Sequence, residues 1–201
     1  MLFSMLASLL VLLTVLMTQC QGDVCDPGEM EKYFEETPDV WKLVRKVRGP
    51  FYLVYHSQNP GFDKNHICLL AAKIKTINSR KSAKYVFHYV TRGSKEDYGS
   101  LNVNVQKSDN AYEKENMFVV DNFPGRRQDK KRYQLLFSNY KSCAVLKSTL
   151  LGVQVWVTKS HLAKHNDVPY SCSLVYDLAA DQNKTLSFDW KKCGVFEHTE
   201  L

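Results

Sequence analysis

The segment from Cys143 to Cys172 constrains the fold of this chain more than any other stretch. It contains two strand-like runs, one on each side of Leu150 and Leu151, then a loop with two histidines and a helix that begins at Pro169. In a secreted chain, cysteines at this spacing can tie a strand of a sheet to a helix lying outside it. The rest of the chain must then supply a barrel for these strands to close.

The first 22 residues have the composition of a signal peptide. Residues 2–17 are nearly all apolar and carry no charge, and Cys20 and Gly22 place small residues before a cleavage site. The run is too short for a comfortable membrane span, which favours a signal peptide. The alternative is an uncleaved anchor, because the only positive charge of the n-region is the amino terminus itself. We expect residues 23–201 to form one secreted, extracellular domain.

Five cysteines follow the expected cleavage site, and an odd number leaves one thiol unpaired or available to a second chain. They are Cys25, Cys68, Cys143, Cys172 and Cys193. No CxxC motif occurs, and the wide gaps favour disulfides over a zinc site, so we expect no metal. Asn183 begins a glycosylation sequon with Lys184 and Thr185, which predicts a glycosylated turn at the surface.

The charge balance limits the classes of partner. The chain has 27 Lys and Arg against 21 Asp and Glu, a net charge of +6, which favours anionic ligands only weakly. The run GRRQDKKR, Gly125–Arg132, is either a heparin or cell-surface patch or a solvated hairpin turn. Pro124 initiates it and Asp129 interrupts it, which favours the turn. We expect no nucleic-acid partner and no membrane partner.

Periodicity predicts a mainly β fold. After Pro50 the hydrophobic period changes to two, and β-branched and aromatic residues dominate. Eight such runs are joined in order by turn signals: Phe51–Ser57, Ile67–Lys75, Ala83–Thr91, Ser100–Gln106, Asn116–Asp121, Arg132–Ser138, Cys143–Thr149 and Gly152–Thr158. This order predicts an eight-stranded up-and-down antiparallel barrel, which leaves no exposed sheet edge.

Helices are expected on both sides of the strands in sequence. Asp26–Pro27 and Thr37–Asp39 are helix starts, and apolar residues recur at helical spacing after the second. Pro169 opens a C-terminal helix. The predicted fold is therefore a barrel with N-terminal and C-terminal helices.

An eight-stranded barrel is just wide enough to hold one small ligand. Asn102 and Asn104 alternate with aliphatic residues on the fourth strand, and Gln154 and Trp156 do so on the eighth. Three aromatic residues form a row on the third strand: Tyr85, Phe87 and Tyr89. Either the amides and aromatics line a cavity while the aliphatics pack under outer helices, or the reverse holds.

The chain resembles the tick salivary lipocalins of the histamine-binding family. The shared features are a Trp-bearing helix (DVWKLV), an aromatic first strand ending in a loop before a cysteine (FYLVYHSQNPGFDKNHIC), an ENMF segment, and a block C…VQVW…VP…C with a final cysteine. They cover most of the chain after residue 22, and the spacing from Cys143 to Cys172 with Trp156 between is the most specific part. The GxW motif of most lipocalins is missing, as in this divergent family.

The resemblance implies the disulfides Cys68–Cys193 and Cys143–Cys172. On the chain-entropy model the longer loop contributes about 4 to 5 kcal/mol and the shorter about 3 to 4. Relatives with a third bridge pair an N-terminal cysteine with one beside the helix cysteine, where this chain has Ser171. We therefore expect Cys25 to be free in a monomer or to link a dimer.

The resemblance also implies a ligand such as histamine, serotonin or a leukotriene, bound to evade the host immune response. Amine binders of the family place carboxylates inside the barrel, because a buried ammonium is tolerated only when paired. The matching positions are neutral here: Gln154, Gln134, Leu101 or Asn102, and a position near Val47. Loss of the counter-charge costs several kcal/mol, roughly a thousandfold in affinity.

The expected ligand is therefore a neutral or anionic amphiphile such as a fatty acid or eicosanoid. Basic residues on or just after the first helix are expected at the barrel mouth, where they attract carboxylates: Lys42, Arg45, Lys46 and Arg48. The expected walls are Trp41, Tyr85, Phe87, Phe118 and Trp156, with Gln134 and Gln154 as polar contacts. Alternatively, the tryptophans plug the barrel ends, and the row on the third strand packs against an outer helix.

Two further hypotheses concern other chemistry. His161 and His165 have the spacing of zinc ligands, but HLAKH lacks a Glu beside the first His, so we expect solvated loop histidines. No GxSxG or glycine-rich phosphate loop occurs, so we expect neither an enzyme nor a cofactor.

The alternative function is a protein-binding immunomodulator that contacts complement or immune cells through barrel-mouth loops, with Gly125–Arg132 as the candidate surface.

Overall fold

The strands form a closed, eight-stranded antiparallel barrel in the computed structural model, which describes residues 37–57, 66–91, 96–121, 130–180 and 184–193. The strands are β1 Phe51–His56, β2 His66–Ile77, β3 Ser82–Thr91, β4 Glu96–Gln106, β5 Met117–Asp121, β6 Lys131–Ser138, β7 Cys143–Ser148, β8 Gly152–Thr158 and a short β9 Thr185–Leu186. The helices are α1 Val40–Lys46, α2 Lys159–His165 and α3 Tyr170–Ala179, with a 3-10 turn at Asn78–Arg80. None of these helices is long and apolar enough to cross a membrane.

The predicted barrel and its strand order are confirmed. Each strand pairs with the next along the chain from β2 to β8, and β1 pairs with both β8 and β2 to close the barrel. The strands follow the predicted runs closely, because alternation and turn residues specify the same boundaries. The predicted signal peptide, Cys25, the first helix start and Asn183 lie outside the described residues, as does most of the run Gly125–Arg132.

Helix α2 is an element that the sequence interpretation missed. The two histidines were expected in a loop, but Lys159–His165 is helical. The side chain of Thr158 accepts a hydrogen bond from the backbone N–H of His161, which is the geometry of a helix N-cap. Leu162, on the same turn, is buried in the apolar layer outside the barrel. One cap and one buried leucine therefore decide the conformation of this short segment.

The seam between β1 and β2 is closed in two different ways. The two strands pair only at Phe51 and Tyr52, and farther along β1 the strand β9 takes the free edge. The backbone N–H of Ser187 donates to the carbonyl of Val54 (2.9 Å), and the N–H of Cys68 donates to the carbonyl of Ser187 (2.7 Å). The C-terminal segment therefore bridges the gap where β1 and β2 separate.

Both disulfides implied by the resemblance are confirmed. Cys68–Cys193 attaches this C-terminal segment to β2, and Cys143–Cys172 attaches β7 to α3. All four cysteines are buried in the apolar layer outside the barrel. The bridges thus hold the C-terminal segment and α3 onto the barrel wall.

Apolar residues form two clusters, one on each face of the barrel wall. The outer cluster lies beneath α3 and the C-terminal segment and includes Tyr52, Val153, Val155, Val157, Val175 and Tyr176. The inner cluster fills part of the barrel and includes Val40, Val44, Ala83, Val103, Val120, Tyr133, Leu135, Ala144 and Leu146. Since Val40 and Val44 belong to α1, this helix packs against the interior.

Helix α1 closes the end of the barrel where the β2–β3, β4–β5 and β6–β7 connections lie, which we term the helix-capped end. The carboxylate of Asp39 accepts a hydrogen bond from the backbone N–H of Lys42 (2.7 Å), which confirms the predicted helix start. The N–H of Val40 donates to the carbonyl of Glu115 (2.8 Å), and the N–H of Asp39 donates to the hydroxyl of Tyr140 (2.8 Å). These bonds fix α1 across the barrel.

The four basic residues predicted at the barrel mouth lie elsewhere. Lys42, Arg45 and Lys46 are on α1, and Arg48 follows it, so they belong to the helix-capped end. The prediction of a basic rim around an open mouth was therefore wrong. The reason is topological, since sequence alone does not say which end of a barrel a preceding helix covers.

Candidate ligand-binding site

Strand β8 presents its amide and aromatic residues to the barrel interior. Val153, Val155 and Val157 belong to the outer cluster beneath α3, whereas Trp156 packs against the inner cluster. Gln154 lies on the same face as Trp156, because alternate residues of a strand share a face. The aliphatic face of β8 is therefore used to seat α3.

Strand β4 has the opposite arrangement. Val103 belongs to the inner cluster, and Leu101 and Val105 pack against it. Asn104 is on the other face, where its side-chain N–H donates to the carboxylate of Asp121 (2.8 Å). Both alternatives that the alternation allowed are thus realised, each on a different strand.

The aromatic row of β3 faces the interior. Tyr85 packs against the inner cluster, and the rings of Phe87 and Tyr89 stack with centroids 6.2 Å apart. Phe87 covers Gly99 on β4, where an added Cβ would lie 2.4 Å from the end of the Phe87 ring. Only glycine fits beneath that ring, so the pair Phe87 and Gly99 shapes one wall.

Three aromatic side chains that face the interior are not fully buried. Tyr85, Phe118 and Trp156 point into the barrel, yet each remains only partly buried. Because they point inward, the surface that they leave uncovered faces the barrel interior. Uncovered aromatic surface of this kind suits contact with an apolar part of a small molecule.

Gln154 is held by the protein itself. Its amide nitrogen donates to the hydroxyl of Ser148 (2.8 Å), and its amide oxygen accepts from the indole N–H of Trp156 (3.1 Å). The side chain is 0% exposed, and β1 places His56, 1% exposed, opposite it. This network fixes the Trp156 ring, so Gln154 positions a wall residue.

Six of the seven predicted ligand contacts are associated with the interior. Trp41, Tyr85, Phe118 and Trp156 pack against the inner cluster, and Phe87 and Gln154 lie on inward-facing positions. Gln134 does not join them. It pairs with the exposed Lys147, while its neighbours Tyr133 and Leu135 belong to the inner cluster. Gln134 is therefore on the outer face, and we remove it from the predicted lining.

Lys73 is an inward-facing cation that the sequence interpretation did not identify. It lies directly opposite Tyr85 in the pairing of β2 with β3, next to a register irregularity between Lys73 and Lys75. Its ammonium donates to the carbonyl of Val44 and, at 3.2 Å, to that of Val47. Burial and the nearby Arg48 lower the pKa of Lys73. An irregular register is not readable from alternation, which explains the omission.

Two tyrosines add neutral hydroxyl groups to the interior. Burial raises the pKa of Tyr85 to about 12, and burial also raises the pKa of Tyr133. Tyr133 stacks on Phe118 with ring centroids 5.1 Å apart. Both phenols therefore remain protonated at neutral pH and are able to donate hydrogen bonds.

The carboxylates whose side chains the structure describes lie away from the interior. Asp39 caps α1, Glu115 pairs with Lys81 at the helix-capped end, and Asp121 bonds Asn104 on the outer face. The others are at the surface, in turns or on helices: Asp109, Glu113, Asp167, Asp177 and Asp189. Among the described side chains, the interior thus has a cation and hydroxyl donors but no acid.

The histidines of α2 form a surface contact. The rings of His161 and His165 stack with centroids 4.5 Å apart, and Nε2 of His161 lies 2.9 Å from Asp167 Oδ1. Within the ranges that the structure describes, no group of three or more His, Cys, Asp or Glu side chains is arranged to hold a metal.

Comparison with known proteins gives a family match over most of the chain. The family described as "Tick histamine binding protein" matches residues 28–195. No curated protein sequence matches the chain.

Solved structures of similar fold include AM182 in a serotonin complex, with 19% identity and a TM-score of 0.56 over 85% of this chain and 95% of that one. Japanin from Rhipicephalus appendiculatus, bound to cholesterol, has 14% identity and a TM-score of 0.53 over 72% and 95%. Insecticyanin from the tobacco hornworm Manduca sexta has 16% identity and a TM-score of 0.53 over 74% and 82%. At these identities the similarity establishes the fold alone, which is that of the lipocalins.

Proposed function

Because the chain belongs to the tick histamine-binding protein family, we propose that it is a secreted lipocalin that encloses a small host inflammatory mediator and so aids evasion of the host immune response. Enclosure lowers the free concentration of the mediator without turnover, provided that the protein is abundant. The partly uncovered inward-facing aromatic side chains support this proposal.

The mediator class that we propose is a neutral or anionic amphiphile, such as a fatty acid or an eicosanoid, in preference to a protonated amine. One observation carries this choice: the inward-facing side chains described include Lys73 and no carboxylate. An ammonium group entering this interior would lose its hydration without gaining a counter-charge, at a cost of several kcal/mol.

The walls favour the same class of ligand. Tyr85, Phe118 and Trp156 offer aromatic surface, and Leu101 and Val105 continue it with aliphatic surface. Burial of each methylene of an acyl chain against such walls is worth about 0.8 kcal/mol. An extended hydrocarbon therefore gains more from this interior than a compact amine does.

Calorimetric titration of the secreted protein with arachidonate, a leukotriene, serotonin and histamine at matched salt tests this function. We expect the two lipid carboxylates to bind most tightly. If none of the four bound below about 10 μM, near −7 kcal/mol, sequestration would be excluded. If histamine or serotonin bound most tightly, the choice of ligand class would be wrong, although enclosure would stand.

A further inference from the structure

Lys73 lies inside the barrel wall at the helix-capped end. It shares its face with Tyr85, its cross-strand neighbour, and its ammonium reaches the carbonyl of Val44 in α1 and that of Val47, which directly follows the helix. Side chains directly opposite each other in an antiparallel pair have Cβ atoms about 5 Å apart. The side chains of Lys73 and Tyr85 therefore leave the wall side by side and on the same face, where the barrel meets α1.

The charge of Lys73 is only partly compensated. Its acceptors are two neutral carbonyls, and the charged group that acts on it most strongly is another cation, Arg48. Two described carboxylates lie near α1, and both are engaged elsewhere: Asp39 caps the start of the helix, and Glu115 is paired with Lys81. A partly buried cation is stabilised by an anion or by several hydrogen-bond acceptors, and within the described part of the chain Lys73 is given carbonyls alone.

We infer that Lys73 and Tyr85 form an anion subsite at the helix-capped end, which holds the carboxylate headgroup of an amphiphilic ligand whose hydrocarbon lies against the aromatic walls. This inference rests on the proposed function, since it requires a guest inside the barrel. The ammonium of Lys73 supplies charge, and the hydroxyl of Tyr85 supplies one hydrogen bond.

The test compares arachidonate with methyl arachidonate, which differ only in the headgroup charge. Both are titrated against the wild type, Lys73→Met and the matched control Lys75→Met. Lys75 is on the same strand, exposed, and pairs with Lys84 instead of Tyr85. We expect the wild type and Lys75→Met to bind the acid roughly 10- to 100-fold more tightly than the ester. A ratio of this size corresponds to the free energy of hydrogen bonds to charged groups. Lys73→Met should bind both alike, at the affinity of the ester.

The same experiment separates the subsite from a purely structural role of Lys73 in fixing α1. A structural role would make Lys73→Met lose acid and ester binding equally and would lower its unfolding temperature, and that result would overturn the inference. Lys73→Arg keeps the cation and should retain the preference for the acid. If the wild type bound acid and ester equally, the subsite would be refuted while enclosure survived. If it bound neither, the proposed function itself would fail.

Discussion

In the proposed function, individual side chains decide which guests the barrel accepts. Gln154 occupies the position where amine-binding relatives are expected to carry an acid, and its amide is engaged with Ser148 and Trp156. Lys73, on the inward face of β2, carries a positive charge instead of the negative charge that an amine would need. Two residues on separate strands thus bias the interior in the same direction, against ammonium and toward carboxylate.

The affinity for arachidonate should fall as the pH rises. The pKa of Lys73 lies below its ordinary value of 10.5, because burial and Arg48 disfavour the ammonium, while the pKa of Tyr85 is raised to about 12. The cation is therefore lost first, and the attraction for a carboxylate is lost with it. Titrations of arachidonate and methyl arachidonate from neutral pH up to 10.5 should show weakening for arachidonate and a constant affinity for methyl arachidonate. A parallel decline of both would point to loss of the fold.

At the scale of elements, the sequence predicted the strands well because alternation, turn residues and β-branched content agree for each one. It could not predict which face of a strand points inward, since that depends on what covers the barrel. The valines of β8 face outward because α3 lies on them, whereas the aliphatic residues of β4 face inward. For this reason Gln134 was predicted to face inward, although it lies on the outer face. Lys73 was missed because the irregular register in β2 hides the face on which it lies.

The seam closed by the C-terminal segment is an element whose stability depends on one disulfide. Replacing Cys68 and Cys193 by serine should lower the free energy of unfolding by about 4 kcal/mol on the chain-entropy model. It should also speed hydrogen exchange at the N–H of Ser187, which bonds Val54 across the seam.

The matched control for this prediction is the double serine variant of Cys143 and Cys172, the bridge between β7 and α3. It should lose about 3 kcal/mol yet leave exchange at Ser187 close to that of the wild type. Equal acceleration at Ser187 in both variants would indicate that the seam depends on global stability instead of on its own bridge.

The whole molecule combines two apolar layers, and both contain buried tyrosines. Burial raises the pKa of Tyr52, Tyr55 and Tyr85 from 10.0 to about 12, and Asp177 adds to the effect at Tyr55. In the unfolded chain these phenols ionise near their ordinary pKa, so the folded state binds more protons between the two values. Their contribution to stability is therefore complete below pH 10 and is lost as the pH rises toward 12.

Denaturant unfolding at a series of alkaline pH values checks this expectation. The free energy of unfolding should decline steadily across the window from about pH 10 to about pH 12. Tyrosinate absorbance of the folded protein should show a group of phenols that ionise late. Stability that stayed constant across the window would mean that these hydroxyls are not buried in solution.

We propose that the barrel interior, as far as its side chains are described, lacks a negative group to neutralise an ammonium ion. The affinities of the wild type and of Gln154→Glu for histamine test this proposal. We expect weak binding by the wild type and a gain of at least about tenfold in the variant, because a buried carboxylate supplies the missing counter-charge. Gln134→Glu, on the outer face, should leave the affinity unchanged. Tight histamine binding by the wild type, with no gain in Gln154→Glu, would show that the interior already neutralises an ammonium ion.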